Sequence, residues 1–197
     1  YLLRLGWSYG DKEIITQDEA IRLFDLGRIG KSPARFDGDK LRDVNAHFIR
    51  EMDDNALYDL IKSHITPTSH AAKPRITQML PLLKERAKTH LDIIDSLSYL
   101  IHDGCVEIQP SADALLTAKS KAILLDLDAA LPNGVWKLKN LTDSINVFLA
   151  EKNLKMSDIG PPLRAAVTGM KQTPSIVNIM VALGQSETSA RIRVACK

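Results

Sequence analysis

An all-α fold is what this sequence predicts, and three observations predict it. Apolar residues recur at three- and four-residue spacings along most of the chain. Runs of β-branched residues bounded by turns, the mark of strands, are nearly absent. Helix-start and helix-stop residues interrupt the apolar pattern at intervals suited to helices of ordinary length. At 197 residues the chain suits one large or two small helical domains, each able to bury a core.

Thr16-x-x-Glu19 has the form of a capping box, in which hydroxyl and carboxylate each satisfy an otherwise unpaired backbone N–H; it opens a helix over 19–26 that Gly27 and Gly30 end. Asp37 caps a helix from Gly38 to about Met52, with Leu41, Val44, Phe48 and Ile49 as its buried stripe. Asp54 or Asn55 starts the next. The stretch 67–74 combines Pro67 and Pro74 with several small residues and reads as a linker, placing a subdomain boundary near it. Beyond it, helices are predicted over about 75–89, 91–102, 111–131, 140–152, 161–169, 174–183 and 186–195. Gly104, Pro110, Pro132-Asn133-Gly134, Gly160 and Gly184 mark the breaks, and Pro81 is expected to kink or divide the first of these helices. No repeat of fixed period runs through them.

Composition narrows the function classes. A 45% hydrophobic and 25% charged content belongs to a folded globular chain rather than a disordered one. The longest apolar stretches, Ala122–Leu125 and Ile176–Leu183, fall far short of the roughly 20 residues that span a bilayer, so no membrane partner is expected. Cys105 and Cys196 form neither a disulfide framework nor a zinc knuckle, which suits a reducing cytoplasm. His47, His64, His70, His90 and His102 show no ligand spacing, so no metal site is predicted. No nucleophile and base pair and no phosphate loop is visible, and no catalytic residue is assigned. Trp7 and Trp136 read as core anchors. The opening Tyr1-Leu2-Leu3-Arg4, with neither initiator Met nor basic leader, reads as a piece of a longer chain.

Net charge is only +2, so any attraction to nucleic acid has to come from arrangement. Between Lys73 and His90 lie Lys73, Arg75, Lys84, Arg86 and Lys88 against Glu85 alone; from Gly160 onward lie Arg164, Lys171, Arg191, Arg193 and Lys197 against Glu187 alone. Two such segments, folded together, would make one phosphate-facing surface. The alternative is a set of solvated helix faces.

Local motifs add to this. Tyr1-Leu2-Leu3-Arg4-Leu5-Gly6-Trp7-Ser8-Tyr9-Gly10-Asp11 closely resembles the segment after the KMSKS-type loop of bacterial glutamyl-tRNA synthetases, N-Y-L-x-R-L-G-W-S-x-G-D. Phe24-Asp25-Leu26 and Ser32-Pro33-Ala34-Arg35-Phe36-Asp37, with Lys40-Leu41 and Asn45, look like that family's stem-contact region. Leu83-Lys84-Glu85-Arg86-Ala87-Lys88-Thr89 resembles its first anticodon-domain helix. Pro162-Leu163-Arg164-Ala165-Ala166-Val167-Thr168-Gly169, Thr173-Pro174 and Leu183-Gly184 resemble its terminal signature. The likeness is strong at both ends and weak over 105–155.

The resemblance implies a helical anticodon-binding bundle preceded by a small stem-contact subdomain: 1–66 for the stem, 67–155 and 156–197 as two anticodon-binding subdomains. Family members activate glutamate with ATP and Mg in an amino-terminal catalytic domain; neither its HIGH-type nor its KMSKS-type motif occurs here, and Lys155-Met156-Ser157 reads only as a helix start. By resemblance, Arg86, Arg164, Thr173, Pro174 and Ile176 are the anticodon-binding candidates and Arg35 and Lys40 the stem contacts. The implied partner is tRNA(Glu), with no DNA and a monomeric chain. A guanidinium only donates hydrogen bonds, so Arg86 suits cytosine, with two adjacent acceptors, over guanine, with one acceptor beside two donors. Arg164 is expected in the first turn of a helix, and Thr173-Pro174 as an N-cap with proline at the first helical position. A synthetase serving both glutamate and glutamine tRNAs, or a helical protein-interaction module, are the competing readings.

Overall fold

The computed structural model describes residues 1–31, 33–104 and 106–197; Ser32 of the stem-contact motif and Cys105 lie outside the described residues. Among the described residues the regular elements are helical, with one isolated antiparallel bridge between Trp7 and Ile29. In chain order the α-helices are α1 (Gln17–Leu23), α2 (Gly38–Glu51), α3 (Asp54–Ile61), α4 (Ala72–Lys84), α5 (His90–Asp95) and α6 (Ser98–Ile101). They continue as α7 (Pro110–Asp113), α8 (Ala118–Ala130), α9 (Leu138–Glu151), α10 (Met156–Thr168), α11 (Ile176–Leu183) and α12 (Gln185–Ala195). The protein is all-α, as its sequence predicts.

Most starts follow the capping logic. Thr16 and Glu19 form the reciprocal box that opens α1. Asp37 accepts from the N–H groups of Asp39 and Lys40 at the head of α2, and Asp53 does the same for Asn55 and Ala56 at α3. Thr89 and Asp92 open α5, and Thr117 caps α8. Lys155 and Met156 do start α10, where the Asp158 carboxylate accepts from the Lys155 N–H at 2.8 Å.

Several ends and faces differ from expectation. α1 stops at Leu23, before either glycine, because Phe24 turns out to stack on Trp7 at 5.9 Å while the Trp7 indole donates to the Asp25 carbonyl. In α2 only Ala46 and Ile49 are buried; Leu41 and Phe48 are exposed, since the helix meets the body chiefly along one line against α4. The expected 91–102 helix is α5 and α6 separated at Ser96-Leu97, and the expected 111–131 helix is α7 and α8. Pro81 lies inside an undivided α4. The 67–74 stretch is tied down: the N–H groups of Thr68 and Ser69 both donate to the Ile101 carbonyl, and Pro74 sits in the first turn of α4, where no N–H is needed.

The largest difference is α10. The sequence breaks at Gly160 and starts a helix at Pro161; instead the helix runs through Gly160, Pro161 and Pro162 from Met156. Two prolines inside a helix forgo N–H bonds, at about 3 kcal/mol each. Burial offsets this, for Ile159, Gly160, Pro162, Leu163, Ala165, Ala166, Val167 and Thr168 are all buried. α10 is the central rod of the bundle, packed by α12, α8, α11 and α6, and its small residues let those neighbours approach. One continuous core runs from Ile49 to Ile192, and Trp136 joins it. Trp7 anchors the amino-terminal segment, its indole 3% exposed between Tyr9 and Phe24.

Candidate nucleic-acid interface

The two cationic segments do meet, but at one point rather than over a surface. Arg86 lies in the turn after α4, not within the helix, and its Nη1 donates to the Thr173 carbonyl at 2.8 Å. Arg164 lies in the third turn of α10, not the first, so no free helix-terminal N–H adjoins it. Its Nε donates to Thr173 Oγ1 at 2.9 Å, and that hydroxyl donates onward to the Pro174 carbonyl at 3.0 Å. Thr173 is thus held by two guanidinium groups from segments far apart in the sequence. It is not an N-cap: α11 begins three residues later, at Ile176, with Ser175 in the N-cap position. Burial, and then the neighbouring Arg86 charge, hold the Arg164 pKa below the ordinary arginine value, though an arginine stays charged at any working pH.

The loop that carries Thr173 is fixed at both ends. Gly169 ends α10 in the left-handed conformation at φ 72°, and its carbonyl accepts from Gln109 N–H. A Cβ at that position would run into the Glu107 carbonyl, so glycine is required both by the backbone angle and by the close approach. Thr168 Oγ1 accepts from Met170 N–H and donates to the Arg164 carbonyl, which locks the turn above the arginine.

Beside Arg86 opens a cleft of about 170 Å³, lined by Arg86, Asp92, Ser96, Gln172, Thr173 and Pro174. It has the size of a single nucleobase. Arg86 is exposed at its rim and is not paired with Asp92; its Nη1 is taken by the Thr173 carbonyl. Asp92 instead uses Oδ2 to accept from the Lys88 and Thr89 N–H groups, both at 2.8 Å. Of the remaining candidates, Pro174 lines the cleft, whereas the Ile176 side chain turns inward and is 2% exposed, leaving only backbone for a ligand. Asp92, Ser96 and Gln172 were not singled out in the sequence; α5 reaches the cleft only through the tertiary fold.

Most of the other cations are neutralised from within. Arg75 is buried on Asp103, Lys84 binds Asp54 and the Met52 carbonyl, and Lys88 binds Asp43. Arg193 binds Asp128, and Arg191 has a side chain with no exposed surface, paired with Glu187. The expected broad cationic face is therefore reduced, because the acidic 43–59 segment folds against the 73–88 segment. Lys40 is paired with Glu13 at 2.6 Å, and Arg35 is exposed in the stretch before α2. Among the described residues no cluster of His, Cys, Asp and Glu is placed to hold a metal, and no helix is long and apolar enough to cross a membrane.

Fold and site together define the class: an all-α module with a base-sized cleft lined by the Arg86 guanidinium and by the threonine that Arg164 holds. Residues 56–196 match the family described as the anticodon binding domain, and the chain belongs to that family. It is 36% identical over 209 residues to a glutamate–tRNA ligase of Bradyrhizobium diazoefficiens, covering 100% of this chain and 44% of that protein. It is 38% identical to glutamate–tRNA ligase 1 of Beijerinckia indica, covering 98% of this chain and 43% of the relative. The crystal structure of a glutamate tRNA ligase from Elizabethkingia meningosepticum in complex with its amino acid superposes with a TM-score of 0.84 at 26% identity, over 98% of this chain and 39% of that one. The chain corresponds to the anticodon-binding region of such ligases and spans less than half the length of the relatives it matches.

Proposed function

We propose that this chain recognises tRNA(Glu) for a glutamate–tRNA ligase, reading the last anticodon base through Arg86. The convergence of Arg86 and Arg164 on Thr173 at the rim of a single-base cleft carries this reading. RNA sequence is read mainly where bases are unstacked, as in an anticodon loop, by planar side chains and by hydrogen bonds to base edges. Arg86 supplies the donors; Arg164, its Nε committed to Thr173, holds the loop and offers its guanidinium plane for stacking. Thr173 and Pro174 form the wall, and Ile176 contributes by anchoring α11 in the core.

Residues 1–66 face the tRNA stem, where Arg35 is free to meet phosphate and Lys40 would exchange Glu13 for it. Residues 67–155 and 156–197 divide the anticodon arm between them. The whole protein joins glutamate to tRNA(Glu) in the cytoplasm as a monomer, with ATP and Mg serving a catalytic domain outside these residues. The test is binding of the chain to a tRNA(Glu) transcript and to the same transcript with a glutamine anticodon, at one stated salt concentration. Preference for the glutamate anticodon is expected; equal binding would leave a scaffold that reads shape alone.

A further inference from the structure

The cleft beside Arg86 holds an acceptor as well as donors. Asp92 lines it, and the two Asp92 oxygens are not equivalent. Oδ2 takes the Lys88 and Thr89 N–H groups and so fills both of its lone pairs, while Oδ1 has no partner among the described residues. Burial pushes the Asp92 pKa up, but the backbone N–H bonds from Lys88 and Thr89, with the Thr89 side chain and the Arg42 charge, outweigh it and hold the pKa below the ordinary aspartate value, so the group is a carboxylate. The cleft therefore offers a base several donors from Arg86 and one acceptor from Asp92.

That pattern matches a single base edge. Cytosine presents two acceptors, O2 and N3, beside one donor, its exocyclic amine. Uracil presents acceptor, donor, acceptor, and its O4 would face the carboxylate. Guanine presents two adjacent donors beside one acceptor, and the one free oxygen of Asp92 cannot take both. Arg86 by itself is a poorer filter, because uracil can slide to offer either carbonyl to a guanidinium.

We infer that Asp92 is a specificity-determining residue that separates cytosine from uracil at the last anticodon position, its Oδ1 accepting from the amine of a cytosine held by Arg86. This rests on the base-reading role given to Arg86. Glutamate anticodons end in cytosine, and the same anticodons with uracil in that position specify lysine, so the distinction is one a glutamate enzyme has to make.

The test uses three anticodon stem–loop RNAs that differ only in the last anticodon base, C, U or G, titrated at fixed salt against the 197-residue chain. A mismatched base edge typically costs about tenfold to a hundredfold in affinity, and wild type should prefer C over U by that much. Asp92→Asn places an amide donor where the free oxygen was, so the C-over-U ratio should collapse to about threefold or less, or reverse. Thr89→Ala is the control, since it breaks the same capping box but leaves the carboxylate; its C-over-U ratio should stay at the wild-type value even if α5 is weakened. A C-over-U ratio unchanged in Asp92→Asn, with C-over-G preference intact in wild type and lost in Arg86→Gln, overturns the role of Asp92 and leaves that of Arg86. Wild type with no preference among the three RNAs overturns both.

Discussion

Replacing Arg191 by methionine should destabilise the bundle rather than remove a ligand contact. The Arg191 side chain has no exposed surface, and its donors are all directed inward. Nε binds Glu187 at 2.6 Å, Nη1 binds the carbonyls of Tyr99 at 2.8 Å and Val167 at 2.9 Å, and Nη2 binds the His102 carbonyl at 2.8 Å. Those carbonyls belong to the last turns of α6 and α10 and the residues just after them, groups that have no partner within their own helices. One arginine thus caps two helix ends and joins α12 to both. Methionine keeps the stem but leaves the carbonyls without that donor and the Glu187 carboxylate without its countercharge, with only the Gly104 N–H donating to it. Breaking a buried pair from one side costs about 3 to 5 kcal/mol. For a chain of this length that corresponds to a fall in Tm of roughly 6 to 20 °C. Urea unfolding at pH 7, followed by helical circular dichroism, measures it. The double variant Arg191→Met with Glu187→Met should recover part of the loss, because the uncompensated charge is then gone. A loss below about 1 kcal/mol, or weakened RNA binding at unchanged stability, would refute the reasoning and return Arg191 to the surface that charge counting suggests.

Gly169→Ala should cost at least about 2 kcal/mol, from left-handed strain and from the collision with the Glu107 carbonyl, and should lower the urea midpoint accordingly. Thr173→Val removes the acceptor for Arg164 Nε but keeps the carbonyl that Arg86 uses; stability should fall by about 1 kcal/mol and tRNA affinity should fall with it, read by fluorescence anisotropy. The Asp103 carboxyl is held below its usual range by hydrogen bonds from Ser69 and then Arg75. Because the folded pKa is the lower one, its contribution is complete above about pH 3.9 and is lost as pH falls through the depressed value. Asp103→Asn should therefore lower the urea midpoint at pH 7 by more than it does at pH 3.

Local signals in the sequence proved reliable wherever local chemistry decides the outcome. Thr16 with Glu19, Asp37, and glycine at 184 mark helix boundaries because capping and positive φ are settled within a few residues. The all-α class follows from periodicity for the same reason. What depends on partners distant in the chain was misread. Arg75, Lys84, Lys88, Arg191 and Arg193 look like a phosphate-binding set in one dimension, yet each has its own acid in three. Pro161 and Pro162 argue for a boundary on propensity, and burial on nearly every side of α10 overrides them. Arg86, Arg164 and Thr173 were legible as candidates through family motifs, but their meeting on one threonine was not. Asp92 gave no signal beyond a capping box, because only the fold of the 85–92 turn brings it to the cleft.

The central claim is that Arg86 reads the last anticodon base, and the most direct measurement compares wild type with Arg86→Gln on stem–loops ending in C and in G at identical salt. Wild type should favour C by about tenfold to a hundredfold, and the variant should bind the two within a few-fold of each other, since glutamine presents an acceptor as readily as a donor. A C-over-G ratio that survives Arg86→Gln unchanged would contradict the claim and place base recognition elsewhere on the bundle.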